Sequence, residues 1–428
     1  MSVAVAETRR AGRALPALLR ESRTFRRYWG AHTISLFGDQ VTLLALPLVA
    51  VLALDASAAQ MGYLTALALA PNLLFALHAG AWVDRVGRRR QVMIATDVGR
   101  ALLLLSVPLA YALDGLTLAQ LLVVAFALGT LSVLFGVSDA SLFVSIVPRD
   151  RFVEGSSLLN GSRAFSFVAG TSAAGLLVRA LSAPIALVAD ALTFLGSAVL
   201  LGRIAPQEAP PDREGGGVRT GVRYVTGSPV VRPILLATAT INFFNFVFWA
   251  LFVLYATRSL GIGAGTLGLV LGAGAVGGLA GSVVAAPLSR AIGLGPCLAV
   301  GCVLFPAPLL LVPLASGSER AVLFLLFLAE LGSGLGVMLL DISAGIVFAA
   351  VIPHELRSRV SGAYTFANYG VRVLGSLAGG WLGASLGLRP TLWIATAGAL
   401  AGVLWLLPSP VLRIRTLPEP EPEPEPAA

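Results

Sequence analysis

Lysine is absent from the 428 residues, histidine occurs three times and cysteine twice. Without lysine, the glycine-rich run from Gly261 to Gly281 cannot form a phosphate loop and reads as close helix packing. His32, His78 and His354 fall on three separate segments, so no catalytic cluster and no metal site is visible, and neither a cofactor nor an enzymatic activity is expected. Cys297 and Cys302 share one apolar run and read as packing residues rather than a disulfide framework. Charge is scarce too, at 12% of residues against 57% hydrophobic, and the mean hydropathy is +0.86. A soluble chain would interrupt its apolar stretches with charge about every turn. Here uncharged runs of about 20 residues recur, each long enough to cross a hydrocarbon layer of about 30 Å. Lipid is the expected solvent.

What charge there is comes mostly as arginine. A net charge of +8 could suit nucleic acid, but the arginines sit in short gaps between apolar runs, a distribution that speaks of topology and not of DNA binding. Residues 1–27 hold seven arginines and no sustained apolar core, so they read as a cytoplasmic basic segment rather than a cleaved signal. If both termini are cytoplasmic, 23 arginines lie on that side and only Arg179, Arg258, Arg320 and Arg389 on the other, as the positive-inside rule demands. A multi-pass protein of the plasma membrane is the expectation.

Hydropathy predicts twelve helices, near 30–54, 61–83, 92–113, 116–140, 156–180, 184–204, 233–256, 266–287, 295–315, 321–351, 359–386 and 388–407. An all-α integral membrane protein follows, built as a six-helix bundle over 28–204, a polar cytoplasmic loop over 205–232 and a second bundle over 233–407. The Pro/Glu tail over 408–428 cannot build a core and is expected to be disordered. One fixed shift of 205 residues aligns Arg85 with Arg290, Gly129 with Gly334, Pro148 with Pro353, Gly170 with Gly375 and Gly175 with Gly380. A duplicated six-helix unit is the simplest explanation.

Between the second and third predicted helices the chain reads Gly80-Ala-Trp-Val-Asp84-Arg85-Val-Gly87-Arg88-Arg89-Arg90. This resembles the Gly-x-x-x-Asp-Arg-x-Gly-Arg-Arg signature of the major facilitator superfamily. A positive-inside loop accounts for the arginines but not for the aspartate set just before them between glycines. The resemblance implies two pseudo-symmetric six-helix bundles and a cytoplasmic latch, in which Gly80, Asp84, Arg85, Gly87, Arg88 and Arg89 gate conformational exchange without touching substrate. The second half keeps only Arg290 and Gly293 of this loop, so the latch is asymmetric. Gly38-Asp39, Asp97-x-x-Arg100 and Asp190-Ala-Leu-Thr-Phe194 narrow the likeness to the branch of macrolide-efflux proteins and the enterobactin exporter. The arginine of the Arg-x-x-Gln-Gly motif used by many proton antiporters is missing from the fourth helix, so that coupling route cannot be assumed here.

A charge near the bilayer centre costs about 2.5 to 3.5 kcal/mol, so each must be paired, hydrated or functional. Asp39 falls close to the midplane of the first helix, and the resemblance makes helices 1, 4, 7 and 10 the cavity helices. Asp39, Asp139, Glu330 and Asp341 are therefore the candidate carboxylates for proton coupling, with Asp39 alternatively the partner of a fixed arginine. Arg163 and Arg372 differ by the repeat offset plus about one turn; they bind an anionic group or neutralise these acids, and pairing is the simpler reading. Asp97 and Arg100, three residues apart, read as a structural pair. Asn242, Asn245 and Trp249 share a face that suits an amphiphilic ligand, or else joins helices. The function expected is secondary active transport by a monomer, exporting an amphiphilic small molecule in exchange for protons. The alternatives are uptake of a polar metabolite and a non-transport membrane protein such as a lipid-handling enzyme.

Overall fold

The structure, a computed structural model, describes residues 16–205 and 218–415, apart from a few side chains within helices. Twelve principal helices carry the chain, and no strand occurs among the described residues. They are α1 (Arg23–Leu52), α2 (Ala58–Val86), α3 (Arg89–Ala112), α4 (Leu118–Ile146), α5 (Phe152–Leu181) and α6 (Ala183–Gly202), then α7 (Val231–Arg258), α8 (Ala264–Ile292), α9 (Leu294–Leu304), α10 (Glu319–Val351), α11 (Arg357–Leu386) and α12 (Leu388–Leu400). Ten of the helical stretches are long and apolar enough to cross a membrane; for α9 the stretch continues to Leu314. The other two are α11, which carries Arg357, Arg359 and Arg372, and α12, which is short but runs on through a 3-10 segment, Ala401–Leu406.

Local chemistry sets the turns. Ser57 and Gln60 close a capping box at the start of α2, satisfying two backbone donors that the helix cannot. At its other end Gly87 takes φ 62°, a left-handed cap that glycine adopts without strain. The turn into α6 uses Ser182 (φ 85°, ψ 159°) and the turn into α12 uses Gly387 (φ 91°, ψ 164°). These two positions are 205 residues apart, so the sequence repeat is also a repeat of backbone shape.

Packing repeats with it. A Cβ on Gly129 of α4 would strike the Ala68 carbonyl of α2, and one on Gly334 of α10 the Gly274 carbonyl of α8. Gly170 of α5 lies against Phe37 and Gln40 of α1, as Gly375 of α11 lies against Phe243 of α7. Such glycines let helix backbones approach where lipid offers no hydrophobic drive to hold them together. The halves join through two equivalent contacts, α2 against α11 and α5 against α8.

Those contacts are lopsided. Near one face, a Cβ on Gly62 would stand 2.7 Å from Gly380 Cα and one on Gly175 2.8 Å from Gly268 Cα, while Arg258 at the end of α7 pairs with Asp55 before α2. Toward the face that carries the arginine-rich loops the same helices diverge: a Cβ on Gly80 of α2 or Gly161 of α5 would meet nothing within 4 Å. The molecule is closed at one face and open at the arginine-rich one.

Three segments expected as loops or tails carry structure instead. Ala17–Glu21 is helical with Leu18 and Leu19 buried; Leu18 N donates to Glu154 at 2.8 Å and Arg151 pairs with Glu21 at 2.7 Å. Within 205–232, Val218–Gly227 is an amphipathic helix whose Tyr224 donates to the Val351 carbonyl. Beyond 407, Val411 is buried and the Ile414 carbonyl accepts from Gly295 N at 2.8 Å. In each case a few apolar residues too short to register as a span are enough to dock the segment. The repeated Pro/Glu stretch and residues 1–15 lie outside the described residues.

Candidate transport cavity and its charged groups

A cavity of about 710 Å³ lies between the halves, with α1, α5, α7, α8 and α10 supplying its walls. Its polar groups are few: Gln40, Asn160, Arg163, Ser166, Ser282, Glu330 and Ser333 among leucine, methionine, aromatic and glycine surfaces. Trp249, Phe167 and Phe305 supply aromatic faces. Glu330 is 5% exposed, its Oε1 has no hydrogen-bond partner, and no cation stands within ion-pair distance. Gln40 Oε1 on the facing helix is likewise unpartnered.

A second pocket of about 370 Å³ opens beside it between α7, α10 and α11, and Phe305 and Val337 belong to the walls of both. This one is polar. Arg372 Nε donates to Asn242 Oδ1 at 2.9 Å, Asn242 Nδ2 donates to Asn368 Oδ1 at 3.0 Å, and Tyr364 donates to Thr238 at 2.8 Å. The Arg372 guanidinium lies 5.0 Å from the Tyr369 ring centroid and 5.3 Å from that of Phe246. Asp341 lines the same pocket, exposed and without an ion pair. The face of α7 expected to act as one unit is thus divided, with Asn242 and Asn245 in the polar pocket and Trp249 in the apolar cavity.

The acids of the first half are arranged differently. Tyr28, His32, Ser35, Asp39 and Thr42 recur on α1 at spacings of four and three, forming a stripe that points into the bundle, while Leu36 and Gln40 face the cavity. Arg100 of α3, 1% exposed, bridges Asp97 at 2.5 Å and Asp39 at 3.4 Å, with its guanidinium between the rings of Phe135 (4.4 Å) and Phe194 (4.2 Å). Asp190 of α6, fully buried, accepts from Thr42 and from Thr193. Asp39 is therefore the partner of a fixed arginine. Nearer the arginine-rich face, Asp139 of α4 accepts from Tyr28 at 2.7 Å and lies 3.3 Å from His32 Nδ1, whose Nε2 is buried without a partner. Arg163 joins none of these acids; it lines the main cavity from α5.

His32, Gln40, Tyr364 and Asn368 are not among the site residues that the sequence singles out, and Asp190 stands there only as a mark of the family branch. The polar stripe on α1 was the available signal for His32; the partners of Asp190 on α1 and of Asn368 on α7 declare themselves only through helix packing.

The loop after α2 is anchored at the end of α6. Arg90 donates to the Ile204 carbonyl and Arg27 to the Arg203 carbonyl at 2.5 Å. Arg89 is buried, Arg88 is the residue preceding α3, and Arg85 is exposed. Asp84 belongs to the last turn of α2 and its side chain lies outside the described residues.

The sequence matches the Major Facilitator Superfamily over residues 28–339 and again over 234–428, so this chain belongs to that family. It is a multi-pass membrane transporter of that type. Solved structures agree on the fold. A variant of the nucleoside transporter NupG superposes with a TM-score of 0.77 at 9% identity, covering 90% of this chain and 99% of the other. A bacterial homologue of the iron transporter ferroportin in its inward-facing state gives 0.71 at 18% identity, covering 90% and 98%. A bacterial homologue of ferroportin in an outward-facing state with soaked iron gives 0.60 at 16% identity, covering 90% and 99%. No curated protein matches the sequence.

Proposed function

We propose that the protein is a proton-coupled exporter of an amphiphilic small molecule, working by alternating access as a monomer in the plasma membrane. On this reading the arginine-rich face and both termini are cytoplasmic, and the cavity is seen loading from the cytoplasm. The observation that carries it is the cavity itself: about 710 Å³, walled mostly by apolar and aromatic side chains, with a handful of polar groups and an opening on the arginine-rich side. The signature resemblance to the macrolide-efflux and enterobactin-exporter branch favours export over uptake. Asp84, Arg85, Arg88 and Arg89, with Gly80 and Gly87 at their flanks, serve as the latch that fastens the cytoplasmic face when the cavity turns outward.

Coupling belongs to the carboxylates. Asp139, held by Tyr28 and His32, and Asp39, shared with Arg100, are the acids through which a proton crosses the first half, and Asp341 serves the second. The test is energised efflux of lipophilic dyes and antibiotics from cells producing the protein or its Asp39→Asn variant, with and without a protonophore. Protonophore-sensitive efflux that the variant loses supports the reading; efflux indifferent to the protonophore removes the proton. A second reading, uptake of a polar metabolite, draws on the Asn242–Asn368–Arg372 pocket. It predicts accumulation of a polar solute and no dye efflux.

A further inference from the structure

The carboxylate of Glu330 has no ion-pair partner among the described residues. It stands on α10, 5% exposed, with Oε1 unpartnered and no ion pair. The helix facing it is α8, which brings glycine: a Cβ on Gly274 would sit 3.0 Å from Glu330 Oε2, and Gly277 and Gly278 follow. That surface makes room for the carboxylate and offers no side-chain donor. Elsewhere on the cavity wall, α1 contributes Gln40 and α7 contributes Trp249, neither of them a cation.

Among the described residues lining the same cavity Arg163 is the cationic one, and depth separates it from Glu330. At about 1.5 Å per residue, Arg163 lies about 16 Å along α5 from its end at the arginine-rich face, and Glu330 about 32 Å along α10 from the corresponding end. An unpaired carboxylate in an apolar site costs several kcal/mol and persists where it has work. A hydrophobic chamber with one such group toward its closed end, and the indole of Trp249 on another of its walls, is complementary to a cation that carries its own apolar bulk.

We infer that Glu330 is the counter-ion of the transported molecule, and that this molecule is a lipophilic organic cation whose charged nitrogen enters the cavity first and lodges between Glu330 and Trp249. The inference rests on the reading that the cavity binds an amphiphile, and it moves Glu330 from the proton pathway to the ligand. Arg163 then faces the trailing, hydrogen-bond-accepting end of the molecule.

The test uses two ions of one shape and opposite charge, tetraphenylphosphonium and tetraphenylborate, binding to the full chain purified in a neutral detergent. Wild type is expected to hold the phosphonium at least about tenfold tighter than the borate, Glu330→Gln to lose the phosphonium by about tenfold while leaving the borate unchanged or tighter, and Glu330→Asp to recover part of the loss. An unchanged melting temperature for Glu330→Gln shows that the loss is not unfolding. The inference is overturned if Glu330→Gln keeps the phosphonium within about twofold, if it weakens both ions alike, or if wild type binds neither or prefers the borate. Failure of the export reading shows elsewhere: phosphonium binding that depends on Glu330 together with no protonophore-sensitive efflux sinks export and leaves the counter-ion standing.

Discussion

The two halves share a scaffold and spend their polarity in opposite ways. At the 205-residue shift, Asp39, Asp97, Arg100 and Asp190 of the first half correspond to Phe244, Cys302, Phe305 and Ala395 of the second, and His32 and Asp139 to Ala237 and Ala344. In the other direction Glu330, Asp341 and Arg372 correspond to Ala125, Gly136 and Phe167. The first half buries Asp97, Asp139 and Asp190 inside the bundle, leaves Asp39 half-buried beside them, and ties these acids to Arg100, to His32 or to hydroxyls; the second keeps an apolar interior and turns its charges toward the cavities. Since the fold forms equally over either interior, the ion network of the first half is not something the fold requires.

The sharpest way to break this contrast is Arg100→Leu. It leaves Asp97 and Asp39 without their cation in a site closed by Phe135 and Phe194, and breaking a buried network this way costs about 3–5 kcal/mol. Unfolding of the purified protein should register that loss. Replacing Asp39, Asp97 and Arg100 together by leucine, in imitation of the apolar second half, should recover most of it, because a charge network exchanged whole for packed hydrocarbon is often neutral. A single variant as stable as wild type would mean that the network holds nothing.

Glu330→Gln should behave in the opposite sense. The carboxylate contributes no bond to the fold, so its neutral isostere should leave stability unchanged or raise it by about 1–3 kcal/mol, the cost of a buried unsatisfied group. Destabilisation of that size would show that a structural partner holds Glu330 after all. The two halves would then differ less than their geometry says.

These differences set how much could be read from the sequence. Helix number and the signature loop follow from apolar run length and from a local motif, and the glycine pairs follow from a shift that a single chain displays. The Asp97–Arg100 contact is equally local, a spacing of three on one helix. Asp39 was legible only as an alternative: its height in the membrane follows from counting residues, but its direction depends on one step of about 100° around α1, which turns it from the cavity that Gln40 faces to the arginine on α3. The division of the α7 face was out of reach, because the partition between Asn245 and Trp249 is made by Phe305 and Val337 from other helices.

The polar pocket offers a smaller effect. Asn242 both accepts from Arg372 and donates to Asn368, so Asn242→Leu should cost about 1–2 kcal/mol and release the guanidinium. Under the amphiphile reading efflux of a lipophilic cation should survive this change, whereas under the polar-uptake reading transport should be lost. Thermal unfolding gives the first number and flux the second.

The smallest effect concerns the closed face. Asp55–Arg258 joins the loop before α2 to the end of α7, so it bridges the halves where Gly62 and Gly380 already touch. Asp55 is almost fully exposed, and a surface pair of this kind contributes about 0.2–1 kcal/mol, enough to shift an open–closed equilibrium by about 1.4- to fivefold. Asp55→Asn should therefore raise the alkylation rate of a Ser376→Cys reporter, placed on the buried side of the α2–α11 contact, by no more than that factor. Cys297 and Cys302 are buried and keep the background low. The increment should vanish near 1 M salt, where the screening length falls to about 3 Å. A larger increment that salt removes would mean that the ion pair and not the glycine contact holds this face shut, and one that salt leaves untouched would mean that its cause is not the ion pair.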